Sequence, residues 1–264
     1  MLTFVFICMG LGAIAGLMAG LLGIGGGLII VPALVFLLPI FQDLPPELVM
    51  VVAVATSLSS IIFTCASSAW AHQKLHHISW DYTPTLLIGA AIGAASTGYL
   101  AHFIDANVLK KFFGCAVLFL GVRMLINKVN LSRRKLPSHG MLGTISVSLA
   151  SISSLLGIGG GALYVPMLTH FSVGVRHAIG AAAIIGFVIA CFATTGYVMA
   201  GWEQTANQAG YIGYVYWPGV AGIVATSLVA AQFGARLTSW IPVEKIKKIF
   251  GVFLLIVSVR MLFS

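Results

Sequence analysis

Two copies of the string LLGIGGG, each set inside an apolar stretch and each followed after three residues by Val-Pro, constrain this chain more than any other feature. Residues 20–34 (GLLGIGGGLIIVPAL) and 154–168 (SLLGIGGGALYVPML) are identical at ten of fifteen positions, with an offset of 134. Residues 109–125 and 246–262 match at nine of seventeen, with an offset of 137. Two matches in register at nearly one spacing indicate an internal duplication, the feature to settle before any local reading. The halves are residues 1–130 and 131–264, joined through the stretch 127–140 that carries Arg133, Arg134 and Lys135.

The duplicated unit sits in a membrane. The chain is 59% hydrophobic and 8% charged, with a mean hydropathy of +1.06, against about 25% charged residues in a soluble domain. Apolar stretches at 1–22, 49–70, 85–101 and 250–263 approach or reach the ~20 residues of a spanning helix. Each half contains an apolar segment broken at GIGGG, then three full-length apolar segments. These fall at 47–71, 83–102 and 108–127, and at 177–200, 211–238 and 244–263. The N-terminal run lacks a basic leader and a cleavage site, so it reads as part of the fold.

The net charge of +8 reflects basic loops of a membrane protein. No aromatic–basic interleaving points to nucleic acid. Counting sides selects a topology. If each broken segment crosses once, the fourteen Lys and Arg divide seven against seven. If each is a hairpin that returns to its own side, Lys74, Arg123, Lys128, Arg133, Arg134, Lys135, Arg176, Arg236, Lys245, Lys247 and Lys248 face Lys110, Lys111 and Arg260, eleven against three. That bias is the positive-inside pattern. The expected fold is therefore an all-α polytopic membrane protein of two inverted repeats. Each is a broken, re-entrant helix pair at GIGGG plus three transmembrane helices, with the basic side cytoplasmic and both termini outside.

Gly23, Gly25, Gly26 and Gly27 mark the first break, and Gly157, Gly159, Gly160 and Gly161 the second. Glycine permits backbone angles and close approaches that other residues refuse. Irregular backbone at membrane depth survives only when buried in protein or lining a wet cavity. The piece after each break starts a half-helix whose first amides lack intrahelical partners; with the positive dipole end they suit a small anion. Broken helices at matched places in two halves are the best sequence pointer to a transporter's binding site. Gly12, Gly16 and Gly20, and Gly89 with Gly93, have the small-xxx-small spacing of close helix packing instead, which suits a homodimer or internal contacts equally. No Lys-Ser/Thr follows the glycines as in a P-loop, and the dinucleotide spacing fails at Leu28 and Ala162.

The paired LLGIGGG-x3-VP motifs around a basic central loop, in a membrane chain of this length, resemble the sulfite exporter TauE/SafE family. The likeness covers essentially the whole chain. It implies transport of sulfite or related sulfur-containing anions, organosulfonates included. The family's motif glycines carry over to the eight named above, and its prolines to Pro32 and Pro166 as structural residues at the breaks.

Beyond the motif, the segment after the first break offers Thr56, Ser57, Ser59, Ser60, Thr64, Ser67 and Ser68, and its counterpart offers Thr194 and Thr195. Thr56 and Ser57 are candidates to donate to the anion; the competing role is helix–helix hydrogen bonding. Cys65 and Cys191 occupy similar places in the halves. No cysteine pair has disulfide or zinc spacing, so neither metal nor cofactor is expected. His72, His76 and His77 read as solvated residues at a helix boundary. Trp70, Trp80, Trp202, Tyr211, Tyr214, Tyr216, Trp217 and Trp240 read as interface anchors. No acid lies within a span, which disfavours cation-coupled uptake. A monoanion leaving an inside-negative cell gains about 2.3 kcal/mol per 100 mV. The expected function is export of a small anion across a bacterial-type inner membrane, with lipid as surroundings. A channel, or an importer of another small organic anion, is the alternative. No nucleophile–base or metal constellation within a span supports an enzyme.

Overall fold

The structure, a computed structural model, describes residues 2–100, 103–126, 135–205, 208–238, 240 and 243–263. Lys128, Arg133 and Arg134 of the central loop lie outside the described residues, as do the side chains at 98–100, 243–245 and 247.

Ten helices account for nearly all the described chain. In order they are α1 (Leu2–Leu22), α2 (Gly27–Phe41), α3 (Pro46–Lys74), α4 (Thr83–Leu100), α5 (Ala106–Ile126), α6 (His139–Leu155), α7 (Gly161–His170), α8 (Val175–Gly201), α9 (Trp217–Leu237) and α10 (Val243–Phe263). α1, α3, α8 and α9 are long and apolar enough to cross a membrane, and the chain is an all-α, multi-pass membrane protein. α5 and α10 have the length but carry basic residues near both ends, Lys110, Lys111 and Arg123 in one, Lys248 and Arg260 in the other.

The helix limits follow from local chemistry. Pro46 and Glu47 open α3 and His72 with Lys74 close it: proline is preorganised for a first turn, and the charges complement the helix dipole. The expected span at 211–238 is shorter than the sequence suggests. Its first residues form a two-stranded hairpin, β1 (Tyr211–Ile212) with β2 (Val215–Tyr216), and the helix begins at Trp217. Gly210 and Gly213 adopt positive φ there, and Pro218 fits only an opening turn.

Glycine ridges set the helix pairs. A Cβ on Gly12, Gly16 or Gly20 of α1 would collide with Ile223, Ser227 or Ala231 of α9, and one on Gly89 or Gly93 of α4 with Gly143 or Val147 of α6. Both sets of numbers rise together, so each pair runs parallel. Gly114 of α5 faces Leu262 and Gly121 faces Gly251 of α10, which makes that pair antiparallel. α3 and α8 also cross antiparallel: Cys65 touches Gly186, while His77 beyond the end of α3 touches Gly180. α3 packs further on α9 and α4 on α8, with α2 against α3 and α7 against α8. The first helix of each half thus packs on the fourth helix of the other. The glycine ridge of α1 is spent on this internal contact.

α3 is the most enclosed of the long apolar helices. Its hydroxyls mostly act as glue. Ser59, Ser60 and Thr64 donate to the carbonyls of Ala55, Thr56 and Ser60, Thr64 pairs with Ser227 of α9 at 2.9 Å, and Ser67 donates to Leu228 at 2.7 Å. Buried polar groups need such partners.

Candidate functional site

The two breaks meet in the interior and cross backbone to backbone. A Cβ on Gly25 would lie 2.8 Å from the Cα of Gly159, and one on Gly159 would lie 2.7 Å from the Ile24 carbonyl oxygen. Gly27 faces the Gly157 carbonyl and Gly161 faces the Gly23 carbonyl, both closer than any Cβ tolerates. The contacts are reciprocal: residue 27 meets 157 as 161 meets 23, and each pair is related by the 134-residue offset. Here close packing and the helix break share the same glycines. Gly23, Gly25 and Gly26 take positive φ in the first break, but only Gly157 does so in the second, where Gly160 is ordinary right-handed helix. The second break is the milder one.

From this crossing α2 and α7 depart, each beginning at its last motif glycine. Neither has a side-chain cap. Among the described residues, no hydrogen-bond acceptor is found for the amides of Ile24, Gly25, Gly26, Gly27 and Leu28, or for those of Gly159, Gly160, Gly161 and Ala162. The first ladder bonds are Ile29 and Ile30 to Gly26, and Leu163 and Tyr164 to Gly160. Five free amides at the first break and four at the second, at the positive ends of two helices, therefore lie close together in a buried place. Each half-helix also holds a proline at its sixth residue, Pro32 and Pro166. Lacking an N–H, these leave the carbonyls of Leu28 and Ala162 without their usual ladder donors.

The other predicted residues divide. Ser57 donates to the Gly157 carbonyl at 3.0 Å, so it reaches the second break and is engaged there. Thr56 accepts the Tyr216 amide at 3.0 Å and is held by the hairpin before α9. Cys65 is buried against the crossing, its Sγ 3.1 Å from where a Cβ on Gly25 or on Gly186 would sit. Cys191 is only half-buried.

Sequence reasoning missed Ser153 and Ser154. They end α6 immediately before the second break, are fully buried, and neither hydroxyl has a partner among the described residues. Ser68 and Thr194 have orphaned hydroxyls too. The signal was the string SISS ahead of LLGIGGG, against LMAG in the first half.

Two expectations fail. His72 and His77 are not solvated; both are buried, and their rings are hydrogen-bonded to each other. Tyr214 and Tyr216 are not interface anchors. They are 2% exposed, because the hairpin folds over the start of α3, where Gln42 donates to the Tyr216 hydroxyl at 2.7 Å and Phe4 meets Phe41 and Tyr216 edge-on. Burial, and then neighbouring Tyr216, hold the Tyr211 hydroxyl above the usual phenol range. The tryptophans are exposed as expected, from 41% at Trp217 to 86% at Trp240.

Comparison with known proteins places these features in context. The family model described as Sulfite exporter TauE/SafE matches residues 8–261. A probable membrane transporter protein of Haemophilus influenzae is 37% identical over 264 residues, covering 99% of both chains. One from Methanocaldococcus jannaschii is 31% identical over 235 residues, covering 86% of this chain and 83% of its own. A third, from Bacillus subtilis, is 24% identical over 277 residues and 96% of each. No solved structure matches the chain.

Proposed function

Since this chain belongs to the sulfite exporter TauE/SafE family, a family of membrane transporters, we propose that it is a secondary transporter exporting a small sulfur-containing anion, sulfite or an organosulfonate, across a bacterial-type inner membrane. The close approach of two uncapped half-helix N-termini, with nine amides unpartnered among the described residues, carries this reading. Each helix end contributes about half a positive charge. Two such ends facing each other repel unless an anion lies between them, and a sulfonate or sulfite head offers three oxygens to several donors. The hydroxyls of Ser153 and Ser154, buried beside the second break with no partner among the described residues, fit the same ligand.

The halves are read as inverted repeats, residues 1–130 and 131–264. The antiparallel pairing of α3 with α8 and of α5 with α10, matched elements in each case, supports this. So does α1 running alongside α9 while α4 runs alongside α6. With α1 and α2 as a returning hairpin, the ends of α3, α5 and α9 and the start of α8 share the basic face, which is the cytoplasmic one by the positive-inside rule. Backbone contact across the crossing favours a carrier over an open channel: anion entry requires the halves to part at Gly25 and Gly159, and rocking exposes the amides to one side at a time.

The test is uptake of sulfite and of short organosulfonates into proteoliposomes under an imposed potential, comparing wild type with Ser153→Ala/Ser154→Ala. Hydrogen bonds to a charged group are worth about 1.5–3 kcal/mol each, so the double variant should raise the half-saturating concentration at least tenfold without loss of folded protein. Potential-driven flux unaffected by the double change would remove the serines from the site. Flux of neither anion would remove the substrate class.

A further inference from the structure

On the basic face, a buried histidine pair joins α1 to the end of α3 and packs against α8 of the other half. The Nε2 of His72 is 3.0 Å from the Gly20 carbonyl oxygen, in the last turn of α1, three residues before the first break. The Nδ1 of His72 is 3.1 Å from the Nδ1 of His77, in the loop after α3. A carbonyl only accepts, so His72 carries its proton on Nε2 and presents a bare Nδ1. His77 must then carry its proton on Nδ1 and donate to His72. The pair is neutral in this arrangement, and one basic nitrogen is left over, the Nε2 of His77.

The surroundings make a proton at that nitrogen consequential. The backbone of His77 lies against α8, where a Cβ on Gly180 would come 2.5 Å from the His77 carbonyl oxygen. Arg176 and His177, in the first turn of α8, are the groups whose charge bears on His77, with the His177 ring 6.4 Å away. From α3 the facing titratable group is His72. α1 presents only its carbonyl, and α9 behind Gly20 presents Ala231, Gly234 and Ala235. No carboxylate is among these neighbours. A proton on His77 therefore keeps both hydrogen bonds of the pair but sets a cation against Arg176 across the contact between the end of α3 and the start of α8, matched elements of the two halves. Consistent with this, burial first, then Arg176 and His177, hold the His77 imidazole below its ordinary range. A group disfavoured as a cation in one state is protonated more readily in a state that relieves it.

We propose that the His72–His77 pair is a proton-binding latch: neutral, it clasps α1, α3 and α8 shut at the basic face, and one proton on His77 releases that face for anion entry. The latch rests on the transporter reading for its purpose, though its chemistry is separable from it. In a chain whose acids lie in loops or in the first turns of helices, it supplies a group that can take up a proton.

The experiment measures two things on the full chain in lipid, with wild type, His77→Gln and His72→Gln. The first is amide hydrogen exchange at 72–82 and 175–182, corrected for intrinsic exchange, at about pH 8 and about pH 5.5, which bracket histidine titration. The second is flux of a short alkyl sulfonate, whose charge is constant across that range. Glutamine at 77 can still donate to His72 but cannot take a proton. The expected result is at least a tenfold loss of protection at the acid pH in wild type and none in His77→Gln. Sulfonate flux should accelerate severalfold with acid on the basic side in wild type only, while His72→Gln loosens both segments at either pH. Equal wild-type protection at the two pH values, or the same acid response in His77→Gln, overturns the latch. The exchange result with no flux in any sample keeps the latch and sinks the transporter reading.

Discussion

The reciprocal glycine crossing makes a sharp energetic prediction. Gly27 has an ordinary helical φ, so Gly27→Ala introduces no backbone strain, and helix propensity alone would favour it by up to about 1 kcal/mol. Its Cβ, however, would overlap the Gly157 carbonyl and lie 2.9 Å from the Cα of Ile158. Both obstacles are backbone of the other break, which cannot swing aside as a side chain would. Overpacking of a tight interior costs about 1–3 kcal/mol, and the rigidity here places this case at the upper end, for a net loss of about 2 kcal/mol. Gly10→Ala is the control: it lies in the body of α1, and nothing comes within 4 Å of its Cβ, so it should be neutral or gain up to about 1 kcal/mol. Unfolding in mixed micelles with rising denaturing detergent, followed by far-ultraviolet circular dichroism, should separate the two variants by about 2–3 kcal/mol. Gly161→Ala should match Gly27→Ala, since it meets Gly23 and the Ile24 amide in the same way. Their combination should cost less than the sum, because both push one crossing apart. Equal stability of Gly27→Ala and Gly10→Ala would refute the close approach of the breaks.

Thr56→Val keeps the side-chain shape but removes the acceptor of the buried Tyr216 amide; it should destabilise by about 1–3 kcal/mol, with Thr56→Ser restoring most of that in the same assay. Ser57→Ala removes one neutral hydrogen bond to the Gly157 carbonyl and should cost about 1 kcal/mol. The His77 imidazole is held below its ordinary range in the folded protein, so the unfolded chain takes up the proton first as pH falls. Stability should therefore be flat above neutral pH and decline as pH drops below about 6.5; His77→Gln should flatten that part of a thermal-melt pH series.

Much of this was legible in the sequence because membrane burial writes simple signals. Uniform apolar runs marked the spans, and adjacent glycines marked the breaks. The spacing of Gly12, Gly16 and Gly20 announced a close helix contact. What the spacing could not say is whose backbone approaches. A glycine ridge records that a neighbour lies near, with no trace of its identity, so the exchange by which α1 packs on α9 and α4 on α6 had to come from the structure. The burial of His72 was hidden for a related reason. A histidine in the last turn of a span looks like a boundary residue until the end of another helix, here α1 at Gly20, is brought over it.

The same comparison separates what the duplication conserved from what it let drift. Both breaks keep the reciprocal backbone contact, because a Cβ at Gly27 or Gly161 would force the halves apart. Around that shared frame the polar groups are lopsided. Ser57 reaches across to the second break, and Ser153 and Ser154 lead into it. The matching stretches of the other half, at Ala19 and Gly20 and along the alanine-rich start of α8, bring no hydroxyl to the first break. The first break is instead the more distorted, with three left-handed glycines to one, and it is the one tied through Gly20 to the histidine pair. On the proposed function these placements divide the labour: the second break would supply hydroxyls for an anion's oxygens, and the first, sprung by its backbone and clasped at the basic face, would supply the movement. Replacing Ser153 and Ser154 by alanine should then lose anion affinity while leaving the pH response of amide exchange at residues 72–82 in place.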